Sequence, residues 1–183
     1  MIRSMVLAAA LALSFGAHAG DWQADPAASS LKFSGSAVGE SFVGAFKTFT
    51  PAIAFDPADL ASARFEVDIS LASADSGSAE RDETLRGGDF FSVARFPNAT
   101  YTASAFRDLG GGRFAADGTL SLRGVEKPVT LEFTWSQEGA TATLDGTASV
   151  NRIDFNVGGG DWADASTIVH EIGVTTHLSL RAK

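Results

Sequence analysis

The residues with the most obvious capacity for acid–base or metal chemistry are the histidines, and only His170 and His177 lie beyond the first nineteen residues. Their spacing is odd. On a regular strand they point to opposite faces and cannot share a metal ion unless a bulge intervenes. His170 has the parity of Ile172, Val174, Leu178 and Leu180, which turns it inward near a strand end. There it reads either as a hydrogen-bonded core histidine or as a donor to a ligand head group. Arg152 and Asp154 also share a face; they read as an ion pair anchoring a loop, with Arg152 meeting a ligand oxygen as the alternative. Arg81 and Asp82 read as a pair fixing another loop. The chain has no nucleophile elbow, phosphate-cradling glycine loop or metal-ligand spacing. Gly110–Gly112 and Gly158–Gly160 read as turns. With no cysteine anywhere, thiolate metal sites, a cysteine nucleophile and disulfides are excluded. The expectation is a protein that is not an enzyme, with no catalytic residue, no metal and no cofactor.

The amino terminus points to export. Arg3 precedes a short apolar run, Met5–Phe15, and Ala17-His18-Ala19 is a small-x-small cleavage site. The run is too short to cross a bilayer. Residues 1–19 are therefore expected to be a cleaved signal peptide, and residues 20–183 a single domain, periplasmic in a Gram-negative host. The formal charge of −8 disfavours nucleic acid and anionic bilayers as partners. No later segment is long and apolar enough to span a membrane.

The elements that must position any site are strands. Arg64–Leu71 alternates Phe65, Val67, Ile69 and Leu71 against polar residues. Phe114–Leu122, Val129–Ser136, Ala140–Val150 and Ile168–Leu180 show the same period of two. Turn residues separate the runs, as at Asp25-Pro26, Asp56-Pro57, Lys127-Pro128 and Glu138-Gly139. With Leu31–Ala37, Phe42–Phe55 and Ala99–Phe106, about eight strands result. Only Ser78–Arg86 looks helical. Eight half-polar strands suit a closed barrel or a two-sheet sandwich. In a barrel, Phe33, Phe65, Val67, Ile69, Leu71, Leu120, Leu122, Leu131, Phe133, Trp135 and Leu144 face inward, either packing a solid core or walling a cavity. Small residues on the same faces (Ala103, Ala105, Ala116, Gly118, Ala142, Gly146, Ala148) leave room for a ligand or let aromatic rings interdigitate. Asp89-Phe90-Phe91 falls in the longest interstrand region and reads as a hydrophobic plug or a gate. Trp162 reads as a cover over a pore end.

Several segments in order resemble the YceI-like family, the lipocalin-like polyisoprenoid-binding proteins of bacteria. They are Trp22–Ser29 with Phe33; Gly44-Ala45-Phe46; Phe55-Asp56-Pro57; Ala72–Gly77; Arg81-Asp82-Glu83-x-Leu85; Asp89-Phe90-Phe91; Phe96–Tyr101; Gly118–Val129; and Asn151-Arg152-x-Asp154-Phe155-Asn156-Val157. Two departures stand out: Ala28 where many relatives carry His, and Asn156 where the family commonly has Gly. The resemblance implies an all-β, eight-stranded antiparallel lipocalin-like β-barrel with a short helical segment in the long loop around residues 76–92. It implies a small-molecule lipid ligand, polyprenyl, quinone-like or fatty-acyl, held in an apolar pore, and a homodimer. Phe46, Phe90, Phe91, Phe155, Trp162, His170 and Ile172 join the inward residues as candidate ligand contacts. The leading expectation is an exported carrier. Competing readings are a lipid-acting enzyme using His170, and a ligand-free envelope stress or interaction protein in transient contact with the membrane or an envelope protein.

Overall fold

A computed structural model describes residues 20–183; the expected signal peptide lies outside the described residues. The chain is an antiparallel meander of β1 (Asp21–Ala24), β2 (Ser30–Ala37), β3 (Glu40–Phe46), β4 (Phe49–Ala54), β5 (Arg64–Ser70), β6 (Ala74–Asp75), β7 (Asn98–Gly110), β8 (Arg113–Leu122), β9 (Val125–Glu138), β10 (Thr141–Asn151) and β11 (Glu171–Ala182). One helix, α1 (Ala79–Arg86), stands in the long connection between β5 and β7.

The sheet closes on itself. Its order runs β1-β4-β5-β7-β8-β9-β10-β11, and β11 pairs back onto both β1 and β2. β1 and β2 are one interrupted strand lying along β11, broken where Asp25 caps a turn through Ala27 N–H. β3 and β4 are likewise one strand interrupted at Lys47-Thr48. Counted this way the barrel has eight strands, with β6 a two-residue addition to β3. The run Phe42–Phe55 expected as one strand is thus two. The break has a cause: the Lys47 and Thr48 N–H groups donate to the carbonyl and hydroxyl of Ser73 rather than to a neighbouring strand. Closure pairs each of these eight strands with a neighbour on both sides over part of its length, which shortens the edge open to aggregation.

α1 begins where expected, with the Ser78 hydroxyl accepting from Arg81 N–H. The expected Arg81–Asp82 pair does not form. Asp82 is buried and accepts from Ser76 N–H and Oγ at 2.7 and 2.6 Å. Arg81 instead lies over the Phe42 ring, 5.7 Å from its centroid.

The interior divides in two along the barrel axis. At one end Trp22, Phe55, Phe65, Phe114, Phe133 and Trp135 form a continuous aromatic cluster. Phe55 is wholly buried and touches five other rings. Trp22 meets Trp135 edge-on at 5.2 Å, and its indole N–H donates to the Phe55 carbonyl. Ala63, Ala103, Ala116 and Ala142 are buried here and give the rings space to interlock. This end is a solid plug. The other end carries a second cluster around Phe33, Leu71, Phe90, Phe91, Val150 and Phe155.

Candidate functional site

Between plug and mouth lies a cavity of about 520 Å³, inside the range of roughly 300–1,000 Å³ usual for small-molecule sites. The period-two strands build its walls. Phe65, Val67, Ile69 and Leu71 come from β5 and its end, Phe33 from β2, Phe46 from β3, Leu120 and Leu122 from β8, Leu131 from β9, Leu144 from β10, and Ile172 from β11. The mouth is framed by Phe90, Phe91 and Trp162 with α1 and the segment around Thr167 and Ile168. Phe90 packs on Trp162, and Phe91 on Phe46, with centroids 5.5 and 5.9 Å apart.

Two glycines set the shape of the wall. The Phe33 ring lies flat on Gly44 across the β2–β3 ladder, within 2.2 Å of where a Cβ would stand. The Tyr101 ring lies on Gly118 in the same way, at 2.5 Å. A side chain at either glycine would push an aromatic ring into the lumen. The Tyr101 hydroxyl donates towards the Ala116 carbonyl at 2.8 Å and the Val129 carbonyl at 3.2 Å. Desolvation by burial pushes its pKa well above the usual phenol value. It stays neutral, and the wall carries no charge at that point.

Four candidate contacts lie elsewhere. Phe133 and Trp135 share the inward parity of Leu131 but sit in the plug. Phe155 is buried behind the mouth without facing the cavity. His170 turns to the loop before it and donates from Nε2 to the Ala163 carbonyl at 2.7 Å. His177 is on the outer surface, with Nδ1 2.7 Å from Asp145 Oδ1. Among the described residues no three His, Cys, Asp or Glu side chains gather into a metal site.

Arg152 departs from both of its expected roles. It makes no ion pair with Asp154. Only 4 % exposed, it donates to the carbonyls of Val157, Gly158, Trp162, Ile168 and Val169. A guanidinium has five N–H donors, and all are used by backbone. Burial lowers its pKa, yet five carbonyl dipoles hold it in place. Arg152 therefore welds the mouth together and has no N–H left for a ligand.

Sequence reasoning missed Leu31, Phe42, Phe49, Ile53, Tyr101 and Val129 as wall residues. Phe42, Phe49 and Ile53 were visible as apolar members of a strand run. The interruption at Lys47-Thr48 hid which of them face inward.

A closed antiparallel barrel, plugged at one end and hollow and apolar towards the other, is a lipocalin-like binding architecture. The chain belongs to the YceI-like domain family, whose model matches residues 22–180. A protein of Vibrio campbellii named only as a UPF0312 protein is 40% identical over 129 residues, covering 69% of this chain and 68% of that one. One from Vibrio vulnificus is 36% identical over 160 residues, covering 82% and 85%. The crystal structure of Burkholderia cenocepacia BcnA superposes with a TM-score of 0.83 at 34% identity, covering 86% of this chain and 99% of that one. A polyisoprenoid binding domain from Saccharophagus degradans shares the fold, with a TM-score of 0.69 at 19% identity, covering 91% and 100%.

Proposed function

We propose that this protein binds and carries an isoprenoid-type amphiphile (a polyprenyl phosphate, quinone or fatty-acyl-like lipid) with its tail in the barrel and its head at the mouth, and that it performs no catalysis. The observation that carries the reading is the hollow apolar half of the barrel. A lumen walled by Val67, Ile69, Leu120, Leu131 and Leu144 offers a hydrocarbon tail burial without a polar group to desolvate. At about 0.8 kcal/mol per buried CH₂, three five-carbon units gain about 12 kcal/mol before the cost of association. The similarity to a domain described as polyisoprenoid binding supports the same class of ligand.

The lipid-acting enzyme is the weaker reading, because His170 is engaged with the Ala163 carbonyl and faces away from the lumen. The ligand-free interaction protein gains nothing from the lumen. The Arg3 to Ala19 leader pattern supports a periplasmic location, and no helix among the described residues is long and apolar enough to cross a membrane. The homodimer rests on the family resemblance.

Native mass spectrometry of gently purified protein, followed by organic extraction, tests the proposal. The expected result is a co-purifying lipid, or stoichiometric uptake of a fluorescent prenyl or acyl probe by stripped protein. A barrel that is consistently empty and takes up neither probe overturns it.

A further inference from the structure

The tip of the β2–β3 hairpin stands beside the cavity mouth and breaks two rules at once. Ala37 and Glu40 pair, and between them Val38 and Gly39 both have positive φ, +50° and +78°. This is the two-residue turn that favours Asn-Gly, since both central residues must be left-handed. A β-branched residue in that conformation is a genuine outlier. Val38 is also 78 % exposed, the most exposed large apolar residue among the described ones. It is held there, because its N–H donates to the Thr167 carbonyl at 2.8 Å while Ala37 bridges Ile168.

The other three non-glycine residues with positive φ each have a local explanation. Arg123, in the equivalent turn between β8 and β9, donates to the Gly88 carbonyl. Asn156 caps a one-turn helix, a position Asn tolerates. Ser92 has its N–H bonded to the Gly87 carbonyl in the loop after α1. For Val38, the backbone bond to Thr167 fixes the turn, but the side chain, at the rim of the cavity, stays largely in water and gains little from burial. Val43, on the outer face of the same hairpin, is a second exposed apolar residue. Strain that persists at a fixed, exposed position points to use rather than to folding.

We propose that this hairpin tip is a membrane-docking point, at which Val38 enters the interface of a lipid bilayer and brings the cavity mouth against it. The inference rests on the lipid-carrier reading. A tail leaving the lumen must otherwise cross water, and the tip stands at the end of the barrel through which it leaves. The chemistry selects the kind of surface. The tip carries Glu40 and no cation in the stretch Ser34–Val43, Arg81 of α1 lies over Phe42 beside it and offsets that one charge, and the chain is net −8. Zwitterionic lipid is therefore the fitting surface, and anionic lipid repels. A valine side chain buries far fewer carbons than a single myristoyl chain, whose own membrane binding is marginal and reversible, so docking at the tip is brief, which suits delivery better than anchoring.

The test uses the mature protein without ligand, floated with phosphatidylcholine vesicles and, in parallel, with phosphatidylglycerol vesicles. Native protein is expected to float with phosphatidylcholine at least threefold more than with phosphatidylglycerol. Val38→Gly suits the turn better and lacks the side chain. It is expected to raise the melting temperature while lowering phosphatidylcholine flotation about fivefold, and Val38→Phe is expected to restore flotation. Transfer of a preloaded prenyl probe, normalised to the amount loaded, should accelerate with vesicle concentration for native protein and become independent of it for Val38→Gly. Equal flotation of native protein and Val38→Gly overturns docking, as does native protein that does not float. A change in oligomeric mass in Val38→Gly, read by light scattering, also overturns it in favour of contact between copies. Flotation without any probe uptake would instead count against the carrier reading, so the two failures are distinguishable.

Discussion

Arg152 shows how one side chain can organise a site without touching what the site holds. Its five donors reach carbonyls spread from Val157 to Val169, so removing it leaves buried acceptors unsatisfied, at a cost of about 1–3 kcal/mol each before relaxation and water entry. Arg152→Met is expected to lose about 3 kcal/mol or more in urea unfolding, with Arg152→Lys recovering only part because three donors cannot replace a planar fork of five. Asp117 makes the opposite case on the outer surface. A hydrogen bond from Arg107, then one from Thr130, hold its pKa at about 2. A folded value below the unfolded one of about 3.9 means stability that is fully present above pH 4 and lost as pH falls to about 2. Solvent screening keeps the contribution of this exposed pair small. Asp117→Asn should therefore melt at most a few degrees below native protein at pH 7, and the two curves should merge near pH 2. Parity in the sequence sufficed to place Val67 and Ile69 on the lumen wall. It could not assign Arg152, whose partners are backbone groups brought together only by the fold and carry no residue code.

Strand by strand, inward parity proves necessary but not sufficient for facing the cavity. Leu131, Phe133 and Trp135 alternate faultlessly on β9, yet only Leu131 reaches the lumen. Height along a barrel depends on strand tilt and stagger, and alternation is silent about both. The same ignorance made small residues ambiguous. Ala103, Ala116 and Ala142 turn out to seat the plug rings, whereas Ala148 and Ala99 stand on the cavity wall. The two kinds of alanine should separate experimentally. Ala148→Phe fills open space; it should keep native circular dichroism while cutting prenyl-probe uptake at least tenfold. Phe55→Ala empties the centre of the plug, and its expected cost is 3–5 kcal/mol, read by urea unfolding, with uptake per folded molecule retained. If both variants lose uptake in proportion to stability, the division between plug and lumen has no functional meaning.

That division extends to the molecule as a whole, because its two ends have different reasons for order. The plug end is closed by long ladders and interlocked rings. The mouth end is assembled from the long β5–β7 connection, in which α1 buries only Asp82, and from the Asn151–His170 segment gathered around Arg152. Few apolar contacts hold α1, and such elements open first. Signs of this asymmetry were readable beforehand: the longest loop, its short helix and its aromatic pair at Phe90-Phe91 all stood out from the strands. Choosing a closed barrel over a sandwich, by contrast, needed the family resemblance, since alternation fits both. A lipid filling the lumen would touch Phe90, Phe91 and Leu85 from below and so couple the loosest segment to the most rigid one. Hydrogen exchange followed by mass spectrometry should then show amides of β4, β5, β8 and β9 near the plug protected whether or not a prenyl probe is bound. Amides of α1 and of residues 87–96 should exchange fast in the empty protein and slow at least tenfold on loading. A ligand held at one hundred times its dissociation constant adds about 2.7 kcal/mol to global stability. Slowing at the mouth together with a higher melting temperature is therefore the expected result, and exchange of α1 and residues 87–96 that is unchanged on loading would mean that the bound lipid does not reach them.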